Sequence, residues 1–167
     1  MLDRVKIHQP TELFTHKLGA ALTMENTVLE MLGKLQEEAQ SSELEQKLRH
    51  HATETEQQIQ NIHRAFEALG EQVDDSPCPA IEGLEKEGEA NLKQTDDSLK
   101  DDVILAGAAE TEHHEIAVYE GLIANAGAMG EQDVVALLQE NLENEQATLQ
   151  KAQQTGDKLA KRAAQAA

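Results

Sequence analysis

The amino-acid sequence predicts an all-α fold, a bundle of four long helices. Aromatic residues make up only 2% of the 167 residues and there is no tryptophan, whereas helix-favouring Ala, Leu, Glu, Gln and Lys dominate. Apolar residues recur every three or four positions along four long stretches, as on the buried face of an amphipathic helix. A chain of this length suits one continuous core, so we expect residues 1–167 to form a single domain.

The first two stretches predict a helical hairpin. Helix A is expected at about residues 11–39 and helix B at about residues 42–70, with a pair of serines between them. Ser42 and Glu45 have the spacing of a capping box at the start of helix B. Gly70 can adopt the left-handed conformation that ends a helix.

The second hairpin follows a long connection. Residues 71–97 contain a cluster of helix breakers and predict a crossover with a short fifth helix. Helices C and D are expected at about residues 98–126 and 131–160, with Gly130 at the turn between them. A connection of about 27 residues can return along a helix about 40 Å long, so helices B and C should run parallel. This is the ferritin-like arrangement of a four-helix bundle.

Composition excludes several classes of protein. Fourteen Lys and Arg against 32 Asp and Glu give a net charge of −18, so neither nucleic acid nor an anionic membrane is expected as a partner. No apolar run approaches the roughly 20 residues of a membrane span, and the N-terminus lacks the apolar core of a signal peptide. With Cys78 as the single cysteine, no intrachain disulfide can form. These features predict a cytoplasmic protein.

Acidic residues interrupt the apolar face of every long helix. On helix A, Glu25 lies seven residues after Leu18 and seven before Leu32, where a core residue is expected. A histidine and a glutamate three residues apart share one face of helix B. A single such acid usually extends its head group to water, but four helices carry the same feature. The candidate ligands are Glu25, His51, Glu54, Glu112, Glu115 and Glu145.

Symmetry about the two turns predicts that these acids lie at one depth. Glu25 and Glu54 are centred between Ala39 and Gln40, beside the serine break of the first hairpin, and Glu115 and Glu145 are centred on Gly130. Buried carboxylates at one level repel one another unless cations balance them. Carboxylates with an imidazole suit iron or manganese. We therefore predict a site for two metal ions, with iron preferred and manganese or zinc as substitutes.

Four further residues lie near the predicted site or carry reactive groups. Tyr119 lies one turn beyond Glu115, and two roles are open: a hydrogen bond to a ligand carboxylate or ordinary core packing. His113 and His114 point away from the ligand direction. A hydrogen bond to a ligand is open for either histidine, and an exposed position is expected for His114. Cys78 lies between two prolines without a basic neighbour in sequence, so we expect a structural role.

Four segments of the sequence are HATET at 51–55, CPAIEGL at 78–84, EHHEIAVY at 112–119 and LENE at 142–145. Together they resemble the YciE/YciF family of ferritin-like bacterial stress proteins, and the similarity covers nearly the whole chain. The resemblance implies a homodimer, a dinuclear metal centre within each bundle and expression linked to osmotic or other stress, without a known reaction. The six candidate ligands keep the family pattern, whereas Asn144 and Leu149 stand where the family commonly has acids.

The leading functional hypothesis is a dinuclear iron- or manganese-binding protein of the bacterial stress response. Redox chemistry with oxygen or peroxide is a further part of this hypothesis, with less support than metal binding. No motif identifies a reaction, so whether the protein is an enzyme stays open. The alternative is a non-catalytic acidic bundle with a structural or protective role that acts through its surface or dimer interface. Iron storage is a third and weaker hypothesis.

Overall fold

The computed structural model describes residues 6–166, which form an all-α bundle. The predicted fold class, a bundle whose crossover contains an additional helix, is confirmed. A short 3-10 turn, Asp97–Leu99, precedes the fourth helix. The five α-helices are α1 (Pro10–Glu38), α2 (Ser42–Leu69), α3 (Pro79–Gln94), α4 (Lys100–Met129) and α5 (Gln132–Ala166).

Contacts at one end of the bundle establish the direction of its helices. The carboxylate of Asp101, at the start of α4, accepts hydrogen bonds from the backbone N–H groups of Gln40 (2.7 Å) and Ser41 (3.1 Å) in the α1–α2 turn. Lys100 forms an ion pair with Glu38 at the end of α1, at 2.7 Å. Helices α2 and α4 therefore begin at the same end and run parallel, as the crossover length predicts.

The start of α2 differs from the predicted capping box. Ser41, not Ser42, is the N-cap, and its Oγ accepts a hydrogen bond from the backbone N–H of Leu44 at 3.3 Å. Glu45 pairs instead with Arg49, one turn further along, at 2.6 Å. The predicted capping box is therefore wrong.

The second hairpin turns at Gly130, as predicted, but both of its helices end later than the sequence indicated. Helix α4 continues to Met129, three residues beyond the expected end of helix C, and ends where Gly130 takes a positive φ of 80°. Gly130 is thus the turn residue, and Gly127 remains helical. Helix α5 extends to Ala166, beyond the expected end of helix D at about residue 160.

The crossover packs closely on the first helix. A Cβ atom added to Gly19 would lie 2.8 Å from the carbonyl oxygen of Asp74, so glycine permits the connecting loop to approach α1. Ser76 Oγ lies 2.9 Å from Nδ1 of His16 in the same region. Further along, Lys34 forms ion pairs with two glutamates of α3. The crossover helix is therefore held along the length of α1.

The buried glutamates divide the core into two halves. The half toward Gly70 and Gly130, here called the closed half, is filled by large side chains that are at most 2% exposed. The half toward the α1–α2 turn, here called the open half, surrounds a cavity of about 500 Å³. Closed-half side chains include Leu18, Phe66, Tyr119, Leu122 and Leu138. Open-half side chains include Val28, Leu35, Leu44, Leu48 and Leu105.

Candidate metal centre

Five of the six predicted ligands meet in the layer between the two halves. His51, Glu112 and Glu145 form one group, and Glu25, Glu115 and Glu145 form a second. Within each group, one nitrogen or oxygen atom from every residue lies within 4.8 Å of the others. Glu145 belongs to both groups, so the two possible metal positions share a carboxylate.

The sixth predicted ligand lies at the edge of this layer. Glu54 belongs to neither group among the described residues, and its side chain is 23% exposed. Its carboxylate lies 3.3 Å from Nε2 of His50 and 3.7 Å from Nδ1 of His51. Helix α2 therefore presents His51 to the centre and Glu54 to the cleft beside α5, where Thr148 also approaches it.

Several ligand atoms are buried without a hydrogen-bond partner among the described residues. Both carboxylate oxygens of Glu115 are unpaired, as are Nδ1 of His51 and one oxygen on each of the other three buried glutamates. The ring Nε2 of His51 lies 2.9 Å from Oε1 of Glu112. Buried polar atoms are normally satisfied, and unpaired ones indicate an ion or water. The accumulation of unpaired acceptors points to cations.

Polar side chains of the closed half hold two of the glutamates in place. Tyr119 donates a hydrogen bond from its hydroxyl to Glu25, and Gln58 donates one from its amide to Glu145. Asn141 in turn donates to the Tyr119 hydroxyl at 3.1 Å and accepts from Asn61 at 2.8 Å. A connected network of this kind fixes the orientation of potential ligands.

Burial and crowding raise the pKa values of Glu25, Glu115 and Glu145. Burial raises the pKa of Glu25 to about 7, although the hydrogen bond from Tyr119 opposes the rise. Burial also raises the pKa of Glu115 well above its ordinary range, and the charges of Glu25 and Glu112 add to it. Burial and the charge of Glu115 raise the pKa of Glu145 in the same way. A metal ion would displace the protons that these carboxyl groups retain.

The pKa of His51 is raised, whereas burial lowers the pKa of an isolated imidazole. Burial alone would lower the pKa of His51, but the nearby carboxylates of Glu112 and Glu54 outweigh it and raise the pKa to about 9. The same contact with His51 lowers the pKa of Glu54. His51 is therefore the cation that partly compensates the carboxylates when no metal is bound.

The donor set fits two hard or borderline metal ions. Carboxylate oxygens and one imidazole are ligands that iron and manganese accept. The unpaired oxygens of the glutamates and the free Nδ1 of His51 leave donors available in both groups. The layer therefore contains the ligand types, the proximity and the unbalanced charge of a dinuclear carboxylate site.

Comparison with known proteins places the chain in a family. Residues 9–165 match the family described as "Domain of unknown function (DUF892)". The chain belongs to this family. It is also 31% identical to the YciF protein of Escherichia coli over 139 residues, which cover 82% of this chain and 84% of YciF. The predicted resemblance to the YciE/YciF family is confirmed.

Solved structures of similar proteins share the bundle. A protein called YcfI from Rhodopseudomonas palustris is 34% identical and superposes with a TM-score of 0.87, covering 92% of this chain and 98% of its own. The crystal structure of the E. coli stress protein YciF gives a TM-score of 0.85 at 29% identity, with 90% and 96% covered. A protein from Xanthomonas campestris at 22% identity shares the fold, with a TM-score of 0.72 over 91% and 94% of the two chains.

Three residues outside the ligand groups can now be placed. The hydroxyl of Tyr119 donates a hydrogen bond to Glu25, a candidate ligand, and the side chain is fully buried in the core. His113 is exposed, whereas His114 is partly buried, contrary to expectation, and its Nε2 lies 4.0 Å from Sγ of Cys78. Burial lowers the pKa of His114. Neither histidine belongs to a ligand group in residues 6–166.

Sequence reasoning missed the amides that support the centre. Gln58, Asn61 and Asn141 are all fully buried. A signal was available for two of them, because Gln58 lies seven residues after His51 and Asn141 lies four before Glu145. The helical spacing that identified the glutamates therefore applies equally to these amides.

Every helix in residues 6–166 falls short of the combined length and apolar character that a bilayer span requires.

Proposed function

We propose that this protein binds two ions of iron or manganese in the layer between the closed and open halves. The observation that carries the proposal is the pair of ligand groups that share Glu145, with unpaired buried oxygens in both. A cluster of buried carboxylates without cations costs several kcal/mol per uncompensated charge. Two divalent ions would offset that cost directly.

Each ligand has a role in this proposal. His51 and Glu112 would hold one ion, Glu25 and Glu115 the other, and Glu145 both. Gln58 and Tyr119 would keep Glu145 and Glu25 oriented, and the closed half would exclude water from that side. An iron or manganese pair supplies one-electron and two-electron chemistry with oxygen or peroxide when bound. The E. coli relative is described as a stress protein, and we propose the same setting for this chain.

Metal analysis tests the proposal. Protein purified without added metal is analysed for its elements, and the metal-free form is titrated with Mn(II) under anaerobic conditions. We expect two ions per chain and a higher melting temperature on binding. Wild-type protein that binds neither iron nor manganese, and whose melting temperature does not change with either, would rule the proposal out.

Two substitutions on α5 provide a matched comparison. Glu145→Gln removes the shared carboxylate while keeping its size, and we expect binding of both ions to be lost. Glu143→Gln changes an exposed glutamate of the same helix and should leave two ions bound. Glu54 is in neither ligand group, so Glu54→Gln should retain both ions with weaker affinity.

A structural role is the second candidate. It is favoured by the R. palustris relative YcfI, whose description proposes a structural role, and by the net charge of −18, which suits a well-solvated surface. Under this alternative, Glu145→Gln would protect cells from osmotic or oxidative stress as well as the wild type does. Under the metal proposal, the same variant fails to protect.

We further propose that the protein is a cytoplasmic homodimer. Light scattering at several protein concentrations tests the dimer. A mass of two chains is expected, and a large shell with many metal ions per chain would instead indicate storage.

A further inference from the structure

The open half contains a cavity that the proposed metal binding does not use. Its volume of about 500 Å³ lies within the roughly 300–1,000 Å³ that small-molecule sites occupy. Apolar side chains such as Leu35, Leu44 and Leu48 line it, and it reaches His51 and Glu112 of the candidate metal centre. The interior of the open half is therefore continuous with the ligand layer.

Small residues create part of this space. Gly88 of α3 and Gly107 of α4 both line the cavity, and a Cβ atom added to either would meet no atom within 4 Å. Ala108 and Ala152 line it as well. An apolar cavity of this size is a poor site for water and a good one for an apolar ligand.

Charges differ between the two sides of the cavity. Both lysines that line it, Lys47 on α2 and Lys151 on α5, lie on the side of His51 and Glu54. Lys47 pairs with Glu43 at 2.8 Å, whereas Lys151 forms no ion pair within residues 6–166. The α3–α4 side contributes acids and no lysine to the lining. Lys151 therefore favours an anionic group at the α2–α5 side, and the apolar lining favours an uncharged chain in the remaining space.

The dimensions favour a small molecule over a protein segment. A helix with its side chains is about 10 Å wide and rises 5.4 Å per turn, so about 500 Å³ would hold little more than one turn. Residues from all five α-helices line the cavity and enclose it on several sides. A flexible chain a few ångströms wide suits this shape.

We infer that the open half binds a linear aliphatic carboxylic acid, with its chain in the cavity and its carboxylate at the α2–α5 side beside the candidate metal centre. This inference deepens the proposed function, and the role of the head group rests on it, because a metal ion held by His51 and Glu112 would lie next to the carboxylate. The ligand would then be the substrate class, or an inhibitor, of that centre.

Calorimetric titration with saturated fatty acids tests the inference. The Mn(II)-loaded protein is titrated with sodium octanoate, decanoate and dodecanoate. We expect one molecule per chain and an affinity that rises about fourfold with each methylene group until the cavity is filled. An absence of binding, or an affinity independent of chain length, would overturn the inference.

Two glycine substitutions on α4 show whether the chain enters the cavity. Gly107→Leu fills the space from its wall and should weaken decanoate binding at least tenfold. Gly121→Leu introduces the same side chain at an exposed position of the same helix and should leave binding unchanged. Equal binding by both variants would contradict the inference. If Gly107→Leu does not fold, as judged by circular dichroism, Ala152→Leu takes its place in the test.

The head group requires a separate comparison. Lys151→Ala should weaken the binding of decanoate without weakening that of 1-decanol, because only decanoate carries a charge. Equal effects on both ligands would overturn the assigned orientation. A dimer that decanoate or Gly107→Leu dissociates would show that a second copy occupies the cavity, and would also overturn the inference.

Measuring Mn(II) binding and fatty-acid binding separately distinguishes this inference from the proposed function. Protein that binds two Mn(II) ions but no fatty acid refutes the inference and leaves the metal proposal standing. Protein that binds fatty acid with the expected chain-length dependence, but no metal, refutes the metal proposal and leaves the cavity as a binding site.

Discussion

The closed and open halves of the bundle differ in packing and in polarity, although the same four helices build both. In the closed half, Phe66 and Leu138 are fully buried, and an amide network reaches Glu25 and Glu145 through Tyr119 and Gln58. In the open half, leucines and small residues surround a cavity that reaches the layer from the other side. The glutamates are therefore held in place from the closed half, whereas the cavity of the open half reaches the layer at His51 and Glu112.

The largest expected difference between the halves is in the cost of removing a leucine. Leu138→Ala in the closed half should lower the free energy of unfolding by about 4–5 kcal/mol, because close packing leaves a new void. Leu48→Ala in the open half should cost about 2–3 kcal/mol, because Leu48 already borders empty space. Urea denaturation of the metal-free variants measures both. Equal costs would show that the two halves are packed alike.

The pH dependence of stability tests how well the closed half shields the layer. The pKa of Glu25 is raised to about 7 from an ordinary value of 4.5, so its contribution to stability is complete below about pH 4.5 and is lost as pH rises through 7. At about 1.4 kcal/mol per pH unit, this corresponds to roughly 3 kcal/mol for the metal-free protein. The raised pKa of His51 acts in the same direction up to about pH 9.

Denaturation at pH 5 and pH 8 measures this loss, and two controls assign it. Glu25→Gln should lose less stability than the wild type between pH 5 and pH 8, because residue 25 can no longer ionise, while Glu115, Glu145 and His51 keep their own pH dependence. Bound Mn(II) should also reduce the dependence. A wild-type protein that is more stable at pH 8 than at pH 5 without metal would show that water reaches the layer from both sides.

The polar network of the closed half should also contribute measurably. Asn141→Leu leaves the Asn61 amide without its acceptor and removes the donor to the Tyr119 hydroxyl, so we expect a loss of about 1–3 kcal/mol. Asn144→Leu serves as the control, because Asn144 lies three residues further along the same helix and is only partly buried. This substitution should change stability by about 0.5 kcal/mol or less. A stability loss as large for Asn144→Leu would remove the case for a specific network.

The smallest effects come from two glycines with opposite surroundings. Gly107→Ala places a methyl group beside the cavity and should stabilise the protein by about 0.5–1 kcal/mol through helix propensity. Gly19→Ala meets the backbone of Asp74 and should destabilise it by about 1 kcal/mol, since a loop must move. Thermal unfolding should show a higher melting temperature for Gly107→Ala and a lower one for Gly19→Ala. A change in the same direction for both variants would contradict the difference in the space around the two glycines.

The sequence was sufficient to identify the bundle and most of the centre. Helical spacing placed Glu25, His51, Glu112, Glu115 and Glu145 on buried faces because each interrupts an otherwise apolar face. The same spacing does not show whether Glu54 reaches the centre of the layer or its edge, because Glu112 and Glu115 are also three residues apart and both belong to ligand groups. The structure places Glu54 at the edge, toward the cleft beside α5, and its role as a ligand stays a prediction.

Other features depend on contacts between distant segments. The cap on the α1–α2 turn comes from Asp101, about 60 residues away in sequence. The partner of Cys78 is His114, which helix α4 brings near only after the crossover has packed. The cavity arises from how α3 lies against α1 and α4. No local pattern encodes these contacts. Gln58 and Asn141, in contrast, share the helical spacing of the candidate ligands, so their burial was predictable from the sequence.

The central claim is that one carboxylate joins two metal positions between the halves. Electron paramagnetic resonance of the protein loaded with two Mn(II) ions per chain tests it most directly. Because Glu145 belongs to both ligand groups, the two ions should be magnetically coupled in the wild type, and the coupled spectrum should be absent in Glu145→Gln. A wild-type protein that shows only the six-line spectrum of isolated Mn(II) would contradict the claim.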